Sequence, residues 1–136
     1  MENWVLYIKL ALILVAVIYI KIKLSKTQKT WKKEIASKLN QISQNEQTQN
    51  LLEWKALLVE IDKLLDYAFK KRGIKGETMG DRLKNAKSFY NYLDYQNTWE
   101  AHKTRNKIAH EFDAKMSVSK MKKHYMILKR SIQAII

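Results

Sequence analysis

From Trp4 to Ile20 the chain is apolar at every position except Lys9, and nowhere else is it hydrophobic on all sides of a helix. At about 1.5 Å per residue this run makes roughly 25 Å of helix, and Asn3, Ile22 and Leu24 extend it toward the ~30 Å hydrocarbon thickness of a bilayer. Lys9 lies near enough to the amino end to snorkel to the headgroups, while Trp4, Tyr7 and Tyr19 occupy interfacial positions. The pattern predicts a single-pass transmembrane anchor over residues 1–24. A cleaved signal peptide would start basic and end in small residues, whereas this segment starts with Glu2 and ends in Ile20-Lys21-Ile22-Lys23. A buried core helix would need more protein around it than the chain supplies.

Residues 25–50 are polar, but Trp31, Ile35, Leu39 and Ile42 recur at spacings of four, four and three. This narrow stripe predicts a helical stalk that either packs on the following domain or self-associates, with Gln44 to Asn50 as its frayed end or a linker. From Leu51 to Arg72, Trp54, Leu57, Leu58, Ile61, Leu64, Leu65 and Ala68 follow the helical period, with Glu53, Glu60, Asp62 and Lys63 assigned to other faces. Basic Lys70, Lys71 and Arg72 followed by Gly73 mark the carboxyl end of this helix. Thr78-Met79-Gly80-Asp81 then has the form of a capping box.

The short helix it opens carries Leu83, Ala86, Phe89 and Tyr90. Asp94 is the expected amino cap of the next, on which Tyr95, Trp99, His102, Asn106 and Ala109 share a face, flanked by Arg105 and His110. After a turn from Phe112 to Ser117, Met121, Tyr125, Leu128, Ile132 and Ile135 make a clean stripe over about Ser119 to Ile135. The expected fold is all-α: an anchor (1–24), a polar helical stalk (25–50) and a four-helix domain (51–136).

Composition supports this reading. Across 136 residues there is no proline, and the three glycines, Gly73, Gly76 and Gly80, fall together, so helix breakers are concentrated in one turn. The absence of cysteine excludes disulfides, thiolate catalysis and Cys-ligated zinc, and the histidines, His102, His110 and His124, show no metal-ligand spacing. No cofactor or metal is expected. The formal charge of +13 points to an anionic neighbour, nucleic acid or an acidic membrane face. Lys21, Lys23, Lys26, Lys29, Lys32 and Lys33 follow the apolar run without an acid among them, against Glu2 before it. By the positive-inside rule the amino terminus lies outside and the carboxyl-terminal domain is cytoplasmic, with these lysines able to contact anionic lipid headgroups.

His102 and Asn106 on an inward stripe, beside Arg105 and His110, break the binary pattern of the domain, as functional positions do. Histidine moves protons near neutral pH and an arginine fork binds phosphate, a pair adequate for metal-free RNA cleavage. There His110 would deprotonate a ribose 2′-hydroxyl or protonate the leaving oxygen, Arg105 would stabilise the phosphorane charge and Asn106 would orient one of them. A two-fold dimer would supply a second histidine. Trp99, His102, Lys107 and Glu111 are the candidate binding residues around this set. Tyr90, Tyr92, Tyr95 and Trp99 could stack on bases or pack in the core, and His124, beside Lys122 and Lys123, reads as part of a solvated face.

Arg105-Asn106-x3-His110, followed by Glu111-Phe112 near the end of the third of four core helices, resembles the Arg-x4-6-His motif of HEPN domains. These are small helical bundles found in many toxin and defence ribonucleases. The resemblance covers about residues 51–136. It implies a homodimer with the two motifs facing across a cleft, an antitoxin-like partner, and Arg105, Asn106 and His110 as motif residues. In the HepT branch the tyrosine two after the histidine is AMPylated; here that position is Phe112. Asp62 to Ala68, Gly76 to Gly80 and Trp99 to His102 also resemble segments of single-pass bacterial membrane proteins of uncharacterised activity. The bland alternative is a non-enzymatic, membrane-associated interaction or scaffold protein. In it, Lys107 and His110 complement the helix dipole, Arg105 pairs with Glu111 or Asp113, and His102 bonds inside the bundle.

Overall fold

The computed structural model describes residues 3–110 and 116–136, and within them the chain is helical without strands. Its elements are α1 (Asn3–Ser43), α2 (Leu51–Arg72), α3 (Met79–Asn85), a 3-10 turn (Lys87–Phe89), α4 (Tyr92–His110) and α5 (Val118–Ile135). They divide into two compact units, one through Glu34 and one from Ile35 to Ile136. Glu111, expected as a binding residue, Phe112, the position after the motif, and Asp113, an expected partner of Arg105, lie outside the described residues.

In the first unit, α1 contains an apolar window with a mean hydropathy of 2.4 and none of it buried, long enough to cross a membrane. A continuous apolar surface of this kind needs a non-aqueous cover, and its length matches a bilayer. Farther along, Thr27 and Thr30 donate their hydroxyls to the carbonyls of Lys23 and Lys26, which keeps these polar side chains compatible with the helix. Lys21, Lys23, Lys26, Lys29 and Lys33 are exposed.

The second unit takes in the last turns of α1. Ile35 and Leu39 are buried there, so the end of the expected stalk belongs to the folded unit. Nor does the connection to α2 fray. Glu46 accepts hydrogen bonds from Tyr125 Oη and Lys129 Nζ, both at 2.7 Å. Trp54 Nε1 donates to the Thr48 carbonyl at 2.9 Å, and Asn50 caps α2 by accepting from the Leu52 amide. Burial alone would raise the Glu46 pKa, but the bonds from Lys129, Tyr125 and Ser43 outweigh it and hold the carboxyl below its usual range. Burial chiefly raises the Tyr125 phenol, which stays a donor.

All seven apolar positions of the α2 stripe are buried, joined by Phe69. At the carboxyl end of α2, Gly73 takes φ 82°, and its amide and that of Ile74 bond the Lys70 and Phe69 carbonyls. Thr78 and Asp81 form the capping box of α3. The expected single helix through Tyr90 is shorter: α3 stops at Asn85 and a 3-10 turn follows. That turn directs the Tyr90 hydroxyl to the Ser131 carbonyl, while the Arg72 guanidinium lies over the Phe89 ring.

The cap of α4 is Asn91 rather than Asp94. Asn91 Oδ1 accepts from the Asp94 amide at 2.8 Å and its Nδ2 donates to the Asp94 carboxylate, placing Asp94 inside the first turn. The inward face of α4 is also rotated from the expectation. Thr98, Ala101 and His102 are buried, whereas Tyr95, Trp99 and Asn106 are half-buried and Ala109 is exposed.

Helix α5 buries its whole expected stripe. It runs parallel to α2, with Trp54 edge-on to Tyr125 near the amino ends and Arg72 donating to the Ile135 carbonyl at the other. Helix α4 runs antiparallel to it, Thr98 meeting Ser131 and Thr104 approaching His124.

His124 does not sit on a solvated face. It is 8% exposed, its Nδ1 has no hydrogen-bond partner among the described residues, and its Nε2 lies 3.5 Å from Thr104 Oγ1. Thr104 covers it because α4 packs along α5 there, which a one-helix pattern cannot show. Burial first, then Lys120 and Lys123, push its pKa below the ordinary 6.5, against a weaker opposing pull from Glu100. A depressed histidine pKa lets the unfolded chain protonate first. Stability is therefore lost as pH falls below about 6.5 toward the folded-state value. Urea denaturation of the full chain in detergent at neutral and mildly acidic pH should show a steeper acid loss for wild type than for His124→Gln.

Candidate functional site

Near the middle of α2, Asp62 is 3% exposed, on the turn between Leu58 and Leu65. A carboxylate there must be paired or its desolvation would destabilise the fold. Helix α4 supplies the partners. His102 Nδ1 lies 2.9 Å from Asp62 Oδ1, which assigns the imidazole proton to Nδ1. His102 Nε2 then accepts from Asn106 Nδ2 at 3.1 Å, one helical turn on. Asn106 Oδ1 in turn accepts from Arg105 Nη1 at 3.0 Å. Arg105 Nε, 3.4 Å from Asp62 Oδ2, completes an ion pair, although it makes no well-formed hydrogen bond. Four residues from two helices thus form a closed ring.

The ring lines a cleft of about 570 Å³ between α2, the start of α3 and α4. Asp66, one turn beyond Asp62 on α2, lines the same cleft. Burial would raise the Asp66 pKa, but Arg82 Nε at 2.6 Å and Lys70 Nζ at 2.9 Å bring it below the usual range. Buried Arg82 also donates to the Gly76 carbonyl, tying the turn before α3 to α2. Arg105 and Lys70 pair with the Asp62 and Asp66 carboxylates, and Lys63 leaves the lining of the cleft with a formal excess of one positive charge. The Trp99 indole packs against Gly80 at the rim, where a Cβ would stand in ordinary van der Waals contact, 3.4 Å from its Cη2. Trp99 in turn stands edge-on to His102, with ring centroids 6.1 Å apart.

Of the residues singled out from sequence, Arg105, Asn106, His102 and Trp99 are brought together. His110 is not: it is exposed at the last turn of α4 and does not line the cleft. Lys107 is exposed nearby. Glu111, proposed as a binding residue, lies outside the described residues, and Arg105 has Asp62 and Asn106 as partners. Asp62 was assigned to an outer face, and the structure corrects this. Its signal was its spacing, four after Leu58 and three before Leu65, which puts it on the buried stripe.

Comparison of the chain with protein-family models, curated proteins and solved structures finds no match.

The ring makes Asp62 the most sensitive polar position. Asp62→Ala leaves His102 Nδ1 and the Arg105 guanidinium without their acceptor and should cost about 3 kcal/mol in chemical denaturation. Asp62→Asn, which keeps an acceptor for His102 while losing the charge opposite Arg105, should cost less.

Proposed function

We propose that this chain is a membrane-anchored, cytoplasmic HEPN-like protein that binds RNA and cleaves it without a metal, acting as a two-fold dimer. The observation that carries the reading is the buried ring, which fixes Arg105 and Asn106 on a positively charged cleft while His110, farther along α4, stays exposed. Apposed in a dimer, one His110 imidazole takes the 2′-hydroxyl proton of the ribose as that oxygen attacks phosphorus. Arg105 stabilises the phosphorane charge, and the partner's His110, in its protonated form, gives its proton to the departing 5′-oxygen. The products are a 2′,3′-cyclic phosphate and a 5′-hydroxyl, with the protons balanced between the two imidazoles. Asn106 holds the Arg105 fork in line.

A second reading rests on the same ring. Because Asn106 occupies His102 Nε2 and Asp62 occupies Nδ1, His102 has no nitrogen left for proton transfer in this arrangement. A ring whose members face one another rather than the cleft also suits a non-enzymatic membrane interaction module.

Cleavage of a fluorogenic RNA by the full chain in detergent with EDTA decides between the two. His110→Ala should lower the rate by about 10²–10⁴-fold, while the melting temperature stays unchanged because the side chain is exposed. Metal-free activity that survives His110→Ala, or no activity at all, defeats the enzyme reading. Topology is tested separately, since the chain has no cysteine of its own. In intact cells Asn3→Cys should react with an impermeant maleimide, and Ser119→Cys only after permeabilisation.

A further inference from the structure

A groove of about 610 Å³ opens where α3, the 3-10 turn and the start of α4 meet, away from the Arg105 cleft. Its lining combines two lysines, Lys84 and Lys87, with three tyrosines, Tyr90, Tyr92 and Tyr95. These rings are not equivalent. Tyr90 is committed to the fold, its hydroxyl bonded to the Ser131 carbonyl and its pKa raised by burial. Tyr95 is half-buried, edge-on to Trp99 at 6.4 Å, with the Lys87 ammonium 5.8 Å over its ring. Tyr92 is different, at 75% exposed in the first turn of α4. An aromatic ring left in water beside cations, in a concavity large enough for a nucleotide, is arranged to receive a planar anionic ligand.

The groove also leads somewhere. Tyr95, Trp99 and His102 form a file of edge-to-face rings along α4, ending in the ring that holds Arg105. From Tyr92 to Arg105 is about 20 Å of helix, which a short extended strand can span.

We propose that this groove is a subsite for single-stranded RNA: an unpaired base stacks on Tyr92, and Lys84 and Lys87 hold the flanking phosphates. The site feeds the strand along α4 to the Arg105 cleft, so it deepens the ribonuclease reading and rests on it for the fate of the strand. Single-stranded rather than duplex RNA fits because only an unpaired base offers a face for stacking. A lipid surface also attracts tyrosine and lysine, but it favours a flat apolar face ringed by cations. Here Lys87 sits inside the concavity against a tyrosine ring.

The test uses the full chain in neutral detergent and fluorescence anisotropy with labelled oligoadenylate and an RNA duplex of equal length. Tyr92→Ala should weaken oligoadenylate binding on the order of 10- to 100-fold, and Tyr92→Trp should restore it. Lys87→Gln should weaken binding and reduce the salt dependence by about one phosphate contact. The proposal is overturned if Tyr92→Ala binds oligoadenylate as wild type does, or if the duplex binds as tightly as the single strand. It is equally overturned if Tyr92→Ala loses binding only to phosphatidylglycerol vesicles, which would assign the groove to lipid. Tyr92-dependent binding without cleavage supports the subsite while removing the nuclease. Cleavage indifferent to Tyr92 in both rate and affinity does the reverse.

Discussion

A carboxylate buried in the middle of α2 constrains most of what surrounds it. The Asp62 carboxyl among Leu58, Ile61 and Leu65 is tolerable only if partners face both of its oxygens, because desolvation of an unpaired polar group exceeds what a small domain can absorb. That requirement sets the register of α4. His102 must come level with Oδ1 and Arg105 with Oδ2, and once they do, Thr98 and Ala101 are turned into the core as well. One turn along α2, Asp66 acts likewise through Arg82, which anchors the turn before α3. Two carboxylates on one helix thereby order the next two helices.

The same pairing shapes the chemistry. A ring that satisfies His102 on both nitrogens makes it a positioning residue, orienting Asn106 and through it Arg105. The proton-transfer role in the proposed reaction passes to His110, which the fold leaves in solvent. The ring and the exposed histidine are on one helix, so a rigid α4 carries the geometry from one to the other.

Elsewhere the fold spends polar contacts differently. Tyr90 and Tyr125 are aromatic side chains turned into structural donors, closing on the Ser131 carbonyl and on Glu46. Tyr92, of the same residue type, is left uncovered. Ordinary burial accounts for the first two, and the contrast sets the third apart.

Much of the architecture follows from local rules that single residues obey. The apolar run of α1, the stripe from Trp54 to Ala68, the Gly73 terminus, the Thr78–Asp81 box and the α5 stripe were each legible, because periodicity and capping depend on neighbours within a few residues in sequence. Arg105 and Asn106 were legible as a polar interruption in the same way. Local pattern failed on α4, where the helix has too few apolar residues to define a face: Asn91 rather than Asp94 capped it, and its inward side was rotated. It failed at His124, which only the packing of α4 buries, and at Asp62, whose place on the stripe was overlooked because acids are usually outward-facing. What tertiary structure alone decided was the union of Asp62 with His102, forty residues apart, since the cost of burying a carboxylate depends on donors that another helix must bring.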